Sequence, residues 1–210
     1  MVKVEETSII QWGLASFTLP GEKISGDMHI VKPFENGVLV GVIDGLGHGI
    51  EAEAAAKSAV AVLEKYPHES IITLLRRTHR ELLMTRGAVM SLASFNTVDE
   101  TMTWLSVGNV EGILLRADKN VSPSREMIIL RGGVVGYQLP QPYATVHPIS
   151  RSDTLIFATD GIMNNFYDDL NIRESPQTIA EKICSRCRKG NDDALVLVVK
   201  YMGKSDEIKY

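Results

Sequence analysis

At 210 residues, 44% of them apolar, the chain has material for one sizeable core and little for a second, so a single domain spanning residues 1–210 is expected. Its net charge of -4, with 22 basic residues scattered and only Arg186, Arg188 and Lys189 clustered, excludes an extended nucleic-acid surface. No apolar run approaches the roughly 20 residues of a membrane-spanning helix, and Met1-Val2-Lys3-Val4-Glu5-Glu6 lacks the apolar centre of a signal peptide, so a cytoplasmic protein with no membrane or nucleic-acid partner is expected.

Residues 8–19 and 38–44 read as strands. The second is a nearly unbroken Val-Leu-Val-Gly-Val-Ile run that predicts cover on both faces and leaves Asp44 at its end. After the glycine-rich turn at residues 45–49, the alanine-rich stretch 51–66 predicts a helix stopped by Pro67. Ser70 is a natural cap for a second helix over 71–85, with Ile71, Leu74, Leu75, Leu82 and Leu83 on its apolar face. Short β runs follow at 88–96, 101–107, 112–117 and 127–130, separated by turn compositions that predict antiparallel hairpins. A strand over 154–159, a helix over 176–189 and a strand over 194–201 complete the order. Strands, two helices, strands, a helix and a strand fit an α+β arrangement with two sheets inside and helices outside.

Cys184 and Cys187 form a CxxC, which is the spacing of a redox pair or half a zinc site. They recur with Ile179 and Ile183 at helical spacing, and no second cysteine pair exists to complete a zinc ribbon, so a buried helix face is the favoured reading.

The chemistry concentrates in four acidic patches at the edges of apolar runs: Ser25-Gly26-Asp27, the Asp44-Gly45-Leu46-Gly47-His48-Gly49 turn, Thr159-Asp160-Gly161 and Asn191-Asp192-Asp193. Any one Asp-Gly pair is an ordinary turn former. Four at strand ends predict convergence of Asp27, Asp44, Asp160 and Asp192 on one rim, where uncompensated carboxylates repel and some stay protonated. Divalent cations remove that penalty, and oxygen-only donors select hard Mg²⁺ or Mn²⁺. Two such ions about 3.5–4 Å apart clamp a phosphoryl group and acidify water for in-line attack.

The ordered set Asp44-Gly45-x-Gly47-His48-Gly49, the alanine-rich helix, Thr159-Asp160-Gly161 and Asp192-Asp193 before a last strand resembles the metal-dependent serine/threonine phosphatases of the PPM, or protein phosphatase 2C, type. It is most similar to their compact bacterial branch containing SpoIIE, RsbU and RsbX. The resemblance implies a four-layer α-β-β-α sandwich, two antiparallel sheets flanked by helices, with two Mn²⁺ or Mg²⁺ ions at one end. It implies Asp44 as the bridging carboxylate, Gly45 as a ligand through its backbone oxygen, Asp160 and Asp192 on the hydrolytic ion, and Asp27 on the other, directly or through water. Asp44, Asp160 and Asp192 are then the catalytic carboxylates, with Asp193 a neighbour behind them.

This chain departs from the eukaryotic relatives in two places. Residues 9–17 contain no arginine to grip phosphate, and Leu46 stands where those relatives carry a proton-donating histidine. His48 is either a helix-entry residue or a substitute donor. His29, His68, His79 and His147 are expected in loops or on polar helix faces. Residues 161–175 are either a partner-contacting loop or a solvated connection. A first strand so near the start is similar to RsbX-like proteins, which implies phosphorylated STAS-domain proteins of a stressosome, RsbR- and RsbS-like, as substrates in negative feedback. Another anti-sigma-factor antagonist as substrate, a STAS-binding module without catalysis, and a two-metal nucleotide phosphodiesterase are the alternatives. The last calls for a base-stacking aromatic pocket or a basic groove, and only 6% of residues are aromatic in a chain of net charge -4.

Overall fold

The computed structural model describes residues 9–22 and 24–203; Ser8, expected to open the first strand, and the opening residues 1–6 lie outside them. The described elements are β1 (Ile10–Phe17), β2 (Asp27–Phe34), β3 (Gly37–Gly45), α1 (Ile50–Lys65), α2 (Ile71–Glu81), a 3-10 turn at Leu82–Met84, β4 (Ala88–Asn96), β5 (Thr101–Val107), β6 (Glu111–Leu115), β7 (Arg125–Met127), β8 (Thr145–Pro148), β9 (Thr154–Ala158), α3 (Pro176–Cys187) and β10 (Ala194–Tyr201). They build two antiparallel five-stranded sheets, ordered β1-β10-β9-β6-β7 and β2-β3-β4-β5-β8.

Side-chain alternation stacks these sheets into layers. Along β3, Val38, Val40 and Val42 join Phe95, Trp104, Phe157, Leu195 and Leu197 between the sheets, while Leu39 and Ile43 turn the other way onto Ala56, Ala59 and Leu63 of α1 and Leu74 and Leu75 of α2. On the far side, Ile156, Val196 and Val198 pack on Ile179, Ala180 and Ile183 of α3. The result is the expected α-β-β-α order. Each Val, Leu or Ile fully buried in these seams contributes about 1.5–3 kcal/mol.

The helix caps follow the sequence. Ser70 Oγ accepts from Thr73 N, and Ser175 Oγ accepts from Thr178 N with Pro176 opening α3. Cys184 is buried in the α3 seam and Cys187 half-buried beside it, both unpaired, as the buried-helix reading requires.

Several expectations change. The β runs after α2 are not one meander: β4 and β5 pair in one sheet, then the chain crosses at Gly108–Val110 and β6 and β7 pair in the other. β2 and β8 were not expected as strands, so His29 lies on β2 and His147 on β8 rather than in loops. His147 stacks edge-on to Trp104 and pairs with Glu126, which also binds Arg116. The helix predicted over 71–85 ends at Glu81 because its last turn tightens to 3-10.

Candidate metal centre

Strand register assembles the first half of the site. Asp27 opens β2 directly opposite Asp44 near the end of β3, and opposed residues on one sheet face hold their Cβ atoms about 4.5–5.5 Å apart. Asp160 and Asp192 come from the other sheet, just past β9 and just before β10. All four, with Asp193, line one open cleft of ≈ 680 Å³ whose wall includes Leu46, Gly47, His48, Asn109, Gly132, Gly133 and Asn191. The cleft thus sits at the seam between the sheets, and the sequence-predicted carboxylates share it.

Glycines let the backbones approach. A Cβ on Gly45 would stand 2.0 Å from Ala52 O, so only glycine admits α1 this close to the end of β3. A Cβ on Gly161 would stand 1.8 Å from Asp193 O, where the loops carrying Asp160 and Asp192 touch. The N-terminus of α1, capped by Gly49, opens beside the Gly47 and His48 wall and adds its dipole to that end of the cleft.

Asp27 and Asp160 are each oriented by a neighbour. Thr159 Oγ1 donates to Asp27 Oδ2 at 2.8 Å, and Asn109 Nδ2 donates to Asp160 Oδ2 at 2.7 Å. Asp193 differs in kind: its Oδ1 accepts from Leu19 N at 2.8 Å and its Oδ2 from Gly26 N at 2.9 Å. Both oxygens therefore serve to pin the β1–β2 connection that delivers Asp27. Lys189 Nζ donates to the backbone oxygen of Asp160 at 2.6 Å, which gives one member of the basic cluster a place.

Burial and mutual repulsion act strongly here. Burial, against the opposing Thr159 hydrogen bond and helped by the charges of Asp193, Asp160 and Asp192, pushes Asp27 from 3.8 to about 7. Burial, then the charges of Asp27, Asp160, Asp192 and Asp193, pushes Asp44 to about 8. Two carboxylic acids raised by burial and by each other's charge, in an all-oxygen set, fit a hard divalent cation. Among the described residues no group of three or more His, Cys, Asp or Glu side chains stands close enough together to hold an ion by itself. An open acidic cleft suits an ion that keeps several waters and takes only one or two carboxylates directly.

Sequence reasoning passed over Asn109, whose Gly108-Asn109 pair reads as a hairpin turn, and the orienting role of Thr159. It also passed over Arg86, whose guanidinium lies against Gly47, 2.8 Å from where a Cβ would stand, while pairing with Glu51. His48 lines the cleft and its Nδ1 meets Glu22 Oε1 at 3.0 Å. In the 161–175 loop, Phe166 is buried against the α3 seam, so it is unavailable to a partner, whereas Met163, Asn164, Asn165, Asp168 and Asp169 are exposed.

A family profile described as Stage II sporulation protein E (SpoIIE) matches residues 35–202. Phosphoserine phosphatase RsbX of Bacillus subtilis (strain 168) is 30% identical over 166 residues, covering 77% of this chain and 79% of that protein. The chain belongs to the SpoIIE-type PP2C phosphatase family. The crystal structure of RsbX with magnesium superposes with a TM-score of 0.85 at 23% identity, covering 96% of this chain and 100% of that one. A chain from a structure of the bacterial stressosome, described as a modular system adapted to control secondary messenger signaling, gives 0.82 at 26% identity over 91% of this chain and 99% of that one. Membership in the SpoIIE-type family carries phosphatase activity. No helix among the described residues is long and apolar enough to cross a membrane.

Proposed function

We propose that this chain hydrolyses phosphoserine or phosphothreonine on STAS-domain proteins of a stressosome, as negative feedback in stress signalling. The observation that carries the reading is the cleft shared by Asp27, Asp44, Asp160 and Asp192, with burial and then the charges of the neighbouring carboxylates raising Asp27 and Asp44 toward neutrality. Asp44, Gly45 through its backbone oxygen, Asp160, Asp192 and Asp27 are the proposed holders of two Mn²⁺ or Mg²⁺ ions. Bound there, such ions supply positive charge to the phosphoryl oxygens and raise the acidity of water.

The remaining steps belong to the chain. Thr159 and Asn109 fix Oδ2 of Asp27 and Oδ2 of Asp160, and Asp193 holds the β1–β2 connection in register. Arg86, its exposed pair with Glu51 worth no more than about 1 kcal/mol, is free to turn toward an arriving phosphate dianion. No cysteine serves as nucleophile, because Cys184 and Cys187 lie on α3 behind the β1–β10 sheet.

A folded protein substrate suits the surroundings of the cleft. Leu46 on the turn, Ile50 opening α1, Leu83 and Met84 ahead of the Gly87 that bonds Leu46, and Tyr137 are all exposed, Met84 to 96%. Apolar side chains gathered beside an acidic cleft are what a macromolecular partner covers. The RsbX likeness and the stressosome structure supply the partner class.

Phosphate release from a phosphorylated STAS-domain protein, with and without Mn²⁺, tests the proposal on the wild type and Asp44→Ala. Mn²⁺-dependent release that the variant loses is expected. Release by the variant at the wild-type rate overturns the site, and release from other phosphoproteins but not from STAS domains overturns the partner.

A further inference from the structure

A second charged cavity lies at the opposite end of the β1–β10 sheet. Arg116 and Ala117 after β6, Lys119, Ser152 before β9, residues 170–173 ahead of α3, and Lys200 near the end of β10 enclose ≈ 740 Å³. Its charged lining residues are Arg116, Lys119, Arg173 and Lys200, all cationic. They come from distant segments, which is why no basic cluster marks them in the sequence. From Asp193 to Lys200 the strand advances about 23 Å at roughly 3.3 Å per residue, so this cavity cannot hold the phosphate that reacts in the cleft.

The cations are built in rather than spread on a surface. Arg116 and Lys200 are each only 8% exposed. Arg116 is the wall: Nη1 donates to Pro148 O at 2.6 Å and Asp153 Oδ2 at 3.0 Å, Nη2 binds Glu126, and its buried Nε–H finds no acceptor. Asp153 and Glu126 offset its charge. Among the described residues Lys200 has no such offset, since Nζ donates only to the backbone oxygen of Glu174 at 2.8 Å, and its burial pushes the pKa down. Among the described residues Lys119 and Arg173 form no ion pair, and both are exposed at the mouth. The carboxylate of Glu174 is already taken by Lys182.

We infer that this cavity is a second anion site, which takes a phosphate dianion between Lys119, Arg173 and Lys200. Three uncompensated cations in one concavity match a doubly charged ligand, and charge-assisted hydrogen bonds from Lys and Arg are the strong class. Among the described residues no aromatic side chain lines it, which disfavours a nucleobase. The dianion is either free inorganic phosphate or the phosphoryl group of a modified side chain. Residues 161–173 run from the Gly161 contact of the acidic cleft to this cavity, so both ends of that loop meet phosphate chemistry.

The test is calorimetric titration of the protein in EDTA, where the acidic cleft repels anions and hydrolysis plays no part. Inorganic phosphate and a short phosphoserine peptide are the probes, on wild type, on Lys119→Ala/Arg173→Ala and on the cleft variant Asp160→Asn. Saturable wild-type binding, weakened about tenfold or more in the double variant and unchanged in Asp160→Asn, is expected. Tighter binding of the peptide identifies a phosphorylated chain as the source; equal or tighter binding of inorganic phosphate identifies the free anion. Equal binding by wild type and double variant, loss in Asp160→Asn, or no saturation by either probe at about 10 mM overturns the inference. The substituted side chains are exposed, and an unchanged melting temperature without phosphate separates lost binding from lost fold. Hydrolysis of a small phosphomonoester with Mn²⁺ should stay within about twofold of wild type in the double variant.

Discussion

Thr159 is the side chain through which the two sheets communicate at the cleft. Its Oγ1 donates to Asp27 on one sheet and accepts from Leu195 N on the other, at 2.8 and 2.9 Å, while the residue is only 2% exposed. Thr159→Val strands the Leu195 N–H and removes the one hydrogen bond that opposes protonation of Asp27. A loss of about 1–3 kcal/mol in urea denaturation, with weaker Mn²⁺ binding in a parallel titration, is expected. The carboxylates themselves set a pH dependence. Folding raises Asp27 from 3.8 to about 7 and Asp44 to about 8, so their contribution to stability is complete below the unfolded value of 3.8 and is lost as pH rises through 7 and 8. In EDTA the melting temperature of the wild type should therefore fall across that window. Asp44→Asn should fall less and melt higher at pH 8, although its phosphatase activity is abolished; identical pH profiles for the two would contradict the assignment. His48 and Leu46, the residues whose departure from a histidine pattern stood out in the sequence, meet the cleft only at its wall.

Central elements were legible in the sequence and edge elements were not. β3, buried along nearly its whole length, and β10, buried throughout, carry unbroken apolar runs because both faces are covered. β2, at the margin of its sheet, reads Asp-Met-His-Ile-Val-Lys-Pro-Phe, half-buried along most of its length, and Pro33 is tolerated only because one side needs no partner. β8 is the other margin and alternates half-buried with exposed. Asp27 was therefore visible as an acidic residue beside a glycine, but not as the strand residue facing Asp44. Gly108-Asn109 misled for a related reason: the pair has hairpin chemistry, with Gly108 at φ 97, yet the chain uses it to change sheets and to hand Asn109 to Asp160. Loop contacts at this scale can be tested by pairing two glycines. Gly161→Ala forces a Cβ onto Asp193 O, so the loops bearing Asp160 and Asp192 must part, and activity should drop at least about tenfold with a stability loss of about 1–3 kcal/mol. Gly190→Ala, at φ 79 with nothing within 4 Å, should cost about 1 kcal/mol of backbone strain in the same denaturation assay and leave activity near wild type.

At the scale of the molecule, the cleft exists only where the two sheets meet. Any ion held by Asp27 and Asp44 on one side and Asp160 and Asp192 on the other binds the docked sandwich and not its separated halves, so loading stabilises the native state by mass action. With Mn²⁺ at 100 times its dissociation constant the gain is about 2.7 kcal/mol. For a chain of this size that corresponds to about 5–10 °C in melting temperature, to be read as the shift between Mn²⁺ and EDTA scans. No such shift would mean that the carboxylates do not share an ion across the seam. The two-sheet organisation was readable from the order of apolar runs, but the crossings were not, since β5 to β6 and β7 to β8 change sheets through segments that carry only turn signals. The pairing of β1 with β10, from Ile10 opposite Tyr201 to Phe17 opposite Ala194, has a temporal consequence. On the ribosome β1 emerges long before its partner, and Asp192 and Asp193 emerge just ahead of that partner. The nascent chain must therefore carry β1 without its strand partner through almost all of its synthesis, and its acidic cleft is complete only when Asp192, Asp193 and β10 arrive.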